Sequence, residues 1–463
     1  MSYLMRCWTL FPLLSVLLLA RPHVSVANPL ETYGFGSRAI SMGGAYSAVA
    51  DDFSAAYYNP AGLPQIGQVS VGVGMNFFST RFNANQNVVV GETPEETPVI
   101  GNVDVSNSDN GGFMGGLAVG ITRRLAIGVG MYLPSTEYLA KLQTQNQREP
   151  NYIFYEKRPR RFDLLVSVGA EILRGLHIGA GADILFGPLG RVKVRVPVGG
   201  EGTVDLSLMF RPRISFYGGL LWKIRKDMSI GIVYREKKKQ GEVDINLDAE
   251  IDIAQLVIPI AGKMDTMIFY SPRQVTLGWA WKPGQRFLMD LDLTWLQWSK
   301  FEDSTMHMVV KLTANQINVP FQKVLDPGFD DTLLPRVGIE YLLKTWSFFP
   351  VADAVDLKLR GGYHFVDSPV PEQKGITNYL DSDSHVFSTG LGLALQNLFG
   401  SERALKLDLY FQFHHLVDRE HKKDMEMADL DGDGIPETRV IGYPGYVTGG
   451  HILAGGFTVG VGF

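Results

Sequence analysis

The sequence predicts an all-β chain, a closed antiparallel transmembrane β-barrel of fourteen strands. Three observations lead there. Segments of about ten residues alternate between apolar and polar side chains. The connections between such segments are tight and long by turns. The chain ends on the same alternation, at Phe463. Alternation with period two over about ten residues is the pattern of a strand with one face in lipid.

Taken in order, residues 1–27 come first. They carry Arg6, an apolar run from Leu10 to Ala20 and a small-residue end, Ser25-Val26-Ala27. This is the layout of a secretory signal peptide cleaved after Ala27, and the run is short for a membrane-spanning helix. The 43 basic residues include Arg6 and Arg21, whereas none of the 48 acidic residues precedes Asn28, so cleavage moves the net charge from −5 to −7. The single cysteine, Cys7, would leave with the leader. A cysteine-free mature chain fits a bacterial envelope protein better than a disulfide-stapled secreted one. No basic face points to nucleic acid.

The next stretch, "DDFSAAYYNPAGLP" (51–64), is rich in small residues and ends in a turn. Asn59 suits the first position of a type I turn, Pro60 presets φ at the second, and Gly62 suits the fourth. A helix beginning near Asp51 or Asp52, either of which can cap it, must stop before the proline.

Strands are expected at about 68–78, 112–122, 124–133, 161–173, 176–187, 203–223, 228–240, 268–281, 286–297, 333–343, 355–366, 385–395, 404–415 and 447–463. In Arg286–Trp295, Phe287, Met289, Leu291, Leu293 and Trp295 share one face, opposite Asp290, Asp292 and Thr294. Leu405, Leu407, Leu409, Phe411 and Phe413 stand opposite Lys406, Asp408, Gln412 and His414, and 355–365 sets Asp356, Lys358, Arg360 and His364 on one face. A soluble sandwich also alternates. Connection lengths separate the two, because tight links such as Arg174-Gly175 and Arg225-Lys226-Asp227 alternate with long ones at 134–160, 188–202, 241–267 and 416–446. Short periplasmic turns and long outer loops belong to outer-membrane barrels, and an even strand number closes one without an edge. The charged inward positions then serve to bridge across the barrel.

Several segments in order give a family likeness. "GFGSRAISMGGAYSAVADDFSAAYYNPAGL" (34–63), with Asn59, Pro60 and Ala61 as its NPA motif, resembles the N-terminal segment of the long-chain fatty acid and aromatic hydrocarbon transporters of the outer membrane, the FadL/TodX (OMPP1) family. "SIGIVYREKKKQGEVD" (229–244), "LDLTWLQWSKF" (291–301) and "LRGGYHFVDSPVP" (359–371) resemble later segments of that family, although Leu380 stands where it usually has proline. The resemblance implies a fourteen-stranded barrel plugged by an N-terminal hatch, here residues 28–66 ahead of a barrel at 67–463. Asn59–Gly62 would turn the chain from hatch to first strand. It also implies passive import of hydrophobic molecules, either fatty acids or aromatic hydrocarbons, with no catalytic residues. Substrate would be caught in an apolar loop groove, passed to a pocket beside the hatch and released sideways through the barrel wall.

Candidate substrate contacts are Leu256, Ile258, Pro259 and Ile260 in the loop after the seventh strand, and Tyr152, Phe154 and Tyr155 in the loop 134–160. Arg191, Lys193 and Arg195, just past the fifth strand, would meet a carboxylate or else be solvated loop charges. Asp429, Asp431, Asp433 and Glu437, with Gly434 at the sharp turn, are spaced like a calcium loop, but Val440 stands at the twelfth position, so the motif is no full EF-hand. No other cofactor is expected. The implied partners are a hydrophobic ligand, outer-membrane lipid or detergent, and the barrel assembly machinery, with the barrel a monomer in the Gram-negative outer membrane. The alternative is a non-transporting adhesin or assembly scaffold on the same barrel.

Overall fold

A computed structural model describes residues 29–91, 98–103, 107, 109–135, 148, 150–155, 162–197, 203–241, 245–253, 256–265, 267–301, 307–312, 326–349, 352–397, 400, 403–429, 434–436 and 438–462. Residues 1–28, which hold the expected leader, Asp431, Asp433, Glu437 and Phe463 lie outside the described residues.

Fourteen strands form the wall. They are β1 (Val69–Phe82), β2 (Asp109–Gly120), β3 (Leu125–Pro134), β4 (Asp163–Leu173), β5 (Leu176–Pro197), β6 (Thr203–Arg225), β7 (Met228–Arg235), β8 (Arg273–Trp281), β9 (Phe287–Gln297), β10 (Thr332–Phe349), β11 (Ala352–Val366), β12 (Ser384–Gln396), β13 (Ala404–Lys422) and β14 (Gly445–Gly462). Each pairs antiparallel with its neighbour in the chain, and β1 pairs with β14, Ser70 opposite Gly462 through Phe82 opposite Gly450, so the sheet closes. Closure pairs every wall strand on both sides, which lipid demands because it offers no hydrogen bonds.

The alternation resolves as expected. Leu291, Leu293, Leu409 and Phe411 are exposed on the outside, while Asp290, Asp292, Asp408 and Gln412 are buried in the lumen. The fifth strand departs from expectation. It runs to Pro197, 22 residues in all, and 188–197 is strand, not loop. Charged and valine residues alternate from Arg191 to Val196, which is itself strand patterning. Spanning takes only about 9–11 residues, so β5 and β6 stand well above the bilayer.

On that extension sits a hairpin, Ile245–Ile253 with Leu256–Asp265, the first strand parallel to β5 and the second paired with His307–Leu312. The region expected as a plain loop is therefore a sheet.

The N-terminal segment fills the lumen with short helices: α1 (Pro29–Thr32), α2 (Ser37–Ser41), α3 (Ala55–Tyr58) and a 3-10 helix, Pro60–Gln65. Phe35, Ile40, Met42, Tyr46 and Leu63 are fully buried. The wall meets this plug with glycines: a Cβ at Gly362 or Gly338 would overlap the Met42–Gly43 backbone. α3 ends at Asn59, as the proline requires. The following turn is closed by a bond from Gly62 N to Asn59 O (2.9 Å), but it continues as the 3-10 helix and the first strand begins only at Val69.

Candidate functional site

Asn59 is the hub of the plug. Its Oδ1 accepts from Ala61 N (3.1 Å), and its Nδ2 donates to Ser47 O (2.8 Å) within the plug and to Leu220 O (3.2 Å) on β6. Pro60 and Ala61 are packed against β5, where a Cβ at Gly179 would overlap them, and a Cβ at Gly62 would overlap Ala50. The motif thus fixes the plug to the wall as well as turning the chain.

Other bonds ring the plug. Asp292 on β9 accepts from Tyr46 N and Ser47 N (3.1 Å each) and from Ser47 Oγ (2.5 Å). Ser229 donates to Ala48 O and Tyr217 to Ala56 O. Thr458 on β14 accepts from Ser37 N (3.1 Å), with its hydroxyl 2.8 Å from that of Ser37.

Arg38 of α2 reaches β10, where Nε and Nη2 grip both oxygens of Glu340 (2.8 and 3.1 Å). Glu340 also accepts from Arg360 (2.7 Å) and Lys358 (3.2 Å), and Arg360 reaches Asp408 (2.6 Å). Such a network is retained when every member is bonded, because a single charge left there would be costly.

On the loop side of the plug lies a cavity, with about 180 Å³ open to the centres of water molecules. One side is apolar, built by Leu296, Leu334, Phe154 and Trp298. The other is polar and follows one register row across five strands. Asp292 of β9 stands opposite Arg336 of β10, Arg336 opposite His364 of β11, and His364 shares Val386 of β12 with His414 of β13. Gln412 lies one lumen-facing step below His414, and Arg235 closes the far edge with its guanidinium 4.6 Å from the Tyr57 ring and 4.7 Å from that of Tyr217.

The roof is the segment 151–155. Residues Asn151 and Tyr152 pair in parallel with Tyr379–Leu380, which joins two outer loops. Tyr152 stacks on Phe82 at 4.0 Å, and its hydroxyl donates to Gly449 O (3.0 Å) and accepts from Gly449 N (2.8 Å). Ile153 packs with Tyr270, Phe301, Phe329, Val370 and Tyr379. Phe154 meets Trp298 at 4.9 Å, and Phe154 and Tyr155 face the cavity. Of the three aromatic candidates, two line the cavity and Tyr152 anchors the roof.

The loop 367–383 completes the roof. Ser368 donates to Asp381 (2.7 Å), and Lys423 holds the carbonyls of Gly375 and Thr377 (2.8 and 2.7 Å). Burial pushes the Asp381 carboxyl up to about 7, and burial brings the Lys423 ammonium down to about 7.

Arg191 and Lys193 stand opposite Ser207 and Asp205 within the raised sheet, not in a loop past the fifth strand. Leu256, Ile258, Pro259 and Ile260 form one strand of the raised hairpin. Asp429 follows the short pair Met427–Ala428 with Thr438–Arg439 and accepts from Gly434 N (2.7 Å). Arg336 is not among the sequence candidates, and the sequence places His364, Gln412 and His414 only on the polar faces of their strands. Their inward direction was legible in the alternation, but their shared depth depends on register between strands far apart in sequence.

Comparison with known proteins agrees with this architecture. Residues 211–437 match the family model described as outer membrane protein transport protein (OMPP1/FadL/TodX). The chain is 24% identical over 445 residues to alkane uptake protein A of Marinobacter nauticus, covering 88% of this chain and 87% of that one. A crystal structure of a Pseudomonas aeruginosa FadL homologue superposes with a TM-score of 0.54 at 16% identity, covering 96% of this chain and 98% of that one. The P. putida toluene transporter TodX superposes with a TM-score of 0.53 at 14% identity, covering 93% and 99%. The closed fourteen-stranded wall and the buried N-terminal plug thus share the fold of these solved structures, and residues 211–437 carry the likeness to the OMPP1/FadL/TodX outer-membrane transport proteins.

Proposed function

We propose that this protein carries hydrophobic molecules passively across the outer membrane, by way of the cavity between the plug and the aromatic roof. The observation that supports this reading is the position of the cavity. It is closed toward the short turns by a plug held only by packing and polar bonds, and toward the loops by Phe154 and Tyr155. An apolar solute gains about 25 cal/mol per Å² on leaving water, so a sequence of apolar contacts moves it where a water-filled pore would not.

Capture begins on the raised hairpin, whose Leu256, Ile258, Pro259 and Ile260 supply the apolar stretch. Substrate then passes the roof. Sideways release requires a wall seam to part, and the seam of Leu125–Tyr132 with Asp163–Ala170 flanks the plug. Long-chain fatty acids, alkanes and aromatic hydrocarbons are the substrate classes to test. Cells lacking other such transporters, with and without this protein, are given labelled dodecane, toluene and palmitate. Faster uptake of at least one with the protein is expected, and equal uptake of all three rejects transport in favour of a scaffold or adhesin.

The same reading includes cleavage after Ala27, insertion by the barrel assembly machinery and a monomeric barrel. Intact mass of the membrane-purified protein checks the first. It also includes weak calcium binding at Asp429, Asp431, Asp433 and Glu437, at about 10⁻⁴–10⁻³ M. Asp431→Ala with Asp433→Ala abolishes the calorimetric heat of calcium binding if this holds. A wild type without such heat at millimolar calcium rejects it.

A further inference from the structure

We infer that the cavity takes a chain with a neutral, hydroxyl-bearing head, such as a primary alcohol, in preference to a bare hydrocarbon or a carboxylate. This rests on the transport reading above and narrows it.

The first ground is a set of polar atoms without partners. Gln412 Oε1, His414 Nε2, His364 Nδ1, Asp381 Oδ1 and Arg235 Nη2 are all buried, none has a hydrogen-bond partner, and all five residues line this one cavity. Buried polar atoms are almost always bonded, so a cluster of exceptions around one space marks where something polar belongs. A hydrocarbon would cover these atoms and leave them unbonded, at a cost.

The second ground is their chemistry. Gln412 Oε1 and Asp381 Oδ1 offer acceptor sites, Arg235 Nη2 is a donor, and an imidazole nitrogen serves either way according to tautomer. A hydroxyl matches such a mixed set because it donates once and accepts twice.

The third ground is charge. Glu31, Asp292, Asp367 and Asp381 line the cavity against only Arg235 and Arg336. Asp292 stands directly opposite Arg336 in the register and so supplies that guanidinium with a counter-charge. A carboxylate would bring a further negative charge beside these acids, whereas an alcohol adds no charge. The apolar wall of Leu296, Leu334 and Trp298 remains for the chain.

The test uses the full mature protein, folded and transferred to amphipol to remove detergent. Labelled 1-decanol, decane and decanoate are titrated at neutral pH, and bound label is separated by gel filtration. Decanol should bind about tenfold more tightly than either of the others. Gln412→Met and, separately, His414→Leu should weaken decanol about five- to tenfold, the loss expected for one or two hydrogen bonds, and should not weaken decane. Gln412→Met alone decides the matter if His414→Leu fails to give a heat-modifiable barrel.

Decanoate binding most tightly overturns the inference. So does equal affinity for decanol and decane with no effect of the variants, in which case the polar atoms are served by water. If cells still take up dodecane while decanol shows no preference, this inference fails and the transport reading stands. If no hydrophobic probe is taken up, the transport reading itself fails.

Discussion

At the short-turn end of the lumen, Arg38, Glu340, Arg360 and Asp408 satisfy one another, every link between 2.6 and 3.1 Å. At the loop end, five buried polar atoms around the cavity have no partner at all. The two regions lie in one barrel, on the same strands. The first is a finished bond network that keeps the plug in place, and the second is an unfinished one that a ligand can complete. The difference teaches that bonding state, more than composition, marks where a barrel is built to stay shut and where it is built to receive something.

The largest effect should come from unfinishing the first region. Glu340→Ala takes a shared carboxylate from Arg38, Arg360 and Lys358, leaving Arg38 with Asp51 and Arg360 with Asp408, and breaking a buried pair from one side costs about 3–5 kcal/mol. The wall pairs independently, so a heat-modifiable barrel should persist while the plug loosens. Planar-bilayer recordings should then show ion conductance above the wild type. A silent channel would mean that the plug does not depend on this network.

Asn59→Ala should come next. It removes three hydrogen bonds, about 1–3 kcal/mol in total, and should raise protease sensitivity within residues 29–66 without unfolding the wall. Equal digestion of variant and wild type would contradict the role given to Asn59.

Phe154→Ala acts on the second region by thinning the roof. Because the single cysteine, Cys7, lies ahead of the plug and the wall, Leu334→Cys in the cavity wall can report access from outside. Maleimide should label it several-fold faster with Phe154→Ala than without. Unchanged labelling would mean that entry does not pass Phe154.

The smallest effect concerns pH. A carboxyl raised by burial favours the folded loop while protonated. The contribution of Asp381 is complete below about pH 4 and is lost as pH rises to about 7. Lys423 adds nothing in that window, because below pH 7 its ammonium is charged whether or not the loop is folded. Hydrogen exchange in 367–383, corrected for intrinsic rate, should therefore lose protection between pH 4 and 7 more in the wild type than in Asp381→Asn. Parallel profiles would remove Asp381 from the account.

All fourteen wall strands were legible, since alternation and connection length are local properties. The stop of α3 at Asn59 and the bond from Asn59 to Ala61 followed from residue chemistry. Four features were misplaced or missed for physical reasons. The fifth strand continues through Arg191–Val196 because its own alternation outweighs the expectation of a loop. The NPAG turn winds on as a 3-10 helix, since the packed plug extends what the local sequence only starts. Thr458 bonds Ser37, a contact between the two ends of the chain that no local pattern reveals. The polar row from Asp292 to His414 could not be read as a site, because only the register of non-adjacent segments sets those residues at one height.

The seam between β1 and β14 carries a consequence for biogenesis. The plug is the first part of the folded region to be made, and Thr458, which holds its helix α2, is among the last. The strand that closes the wall therefore also completes the seat of the plug. A chain that stops short of β14 has an open edge and a plug missing a contact, and the two faults arise together. Closing the wall and seating the plug are thus coupled through this one strand.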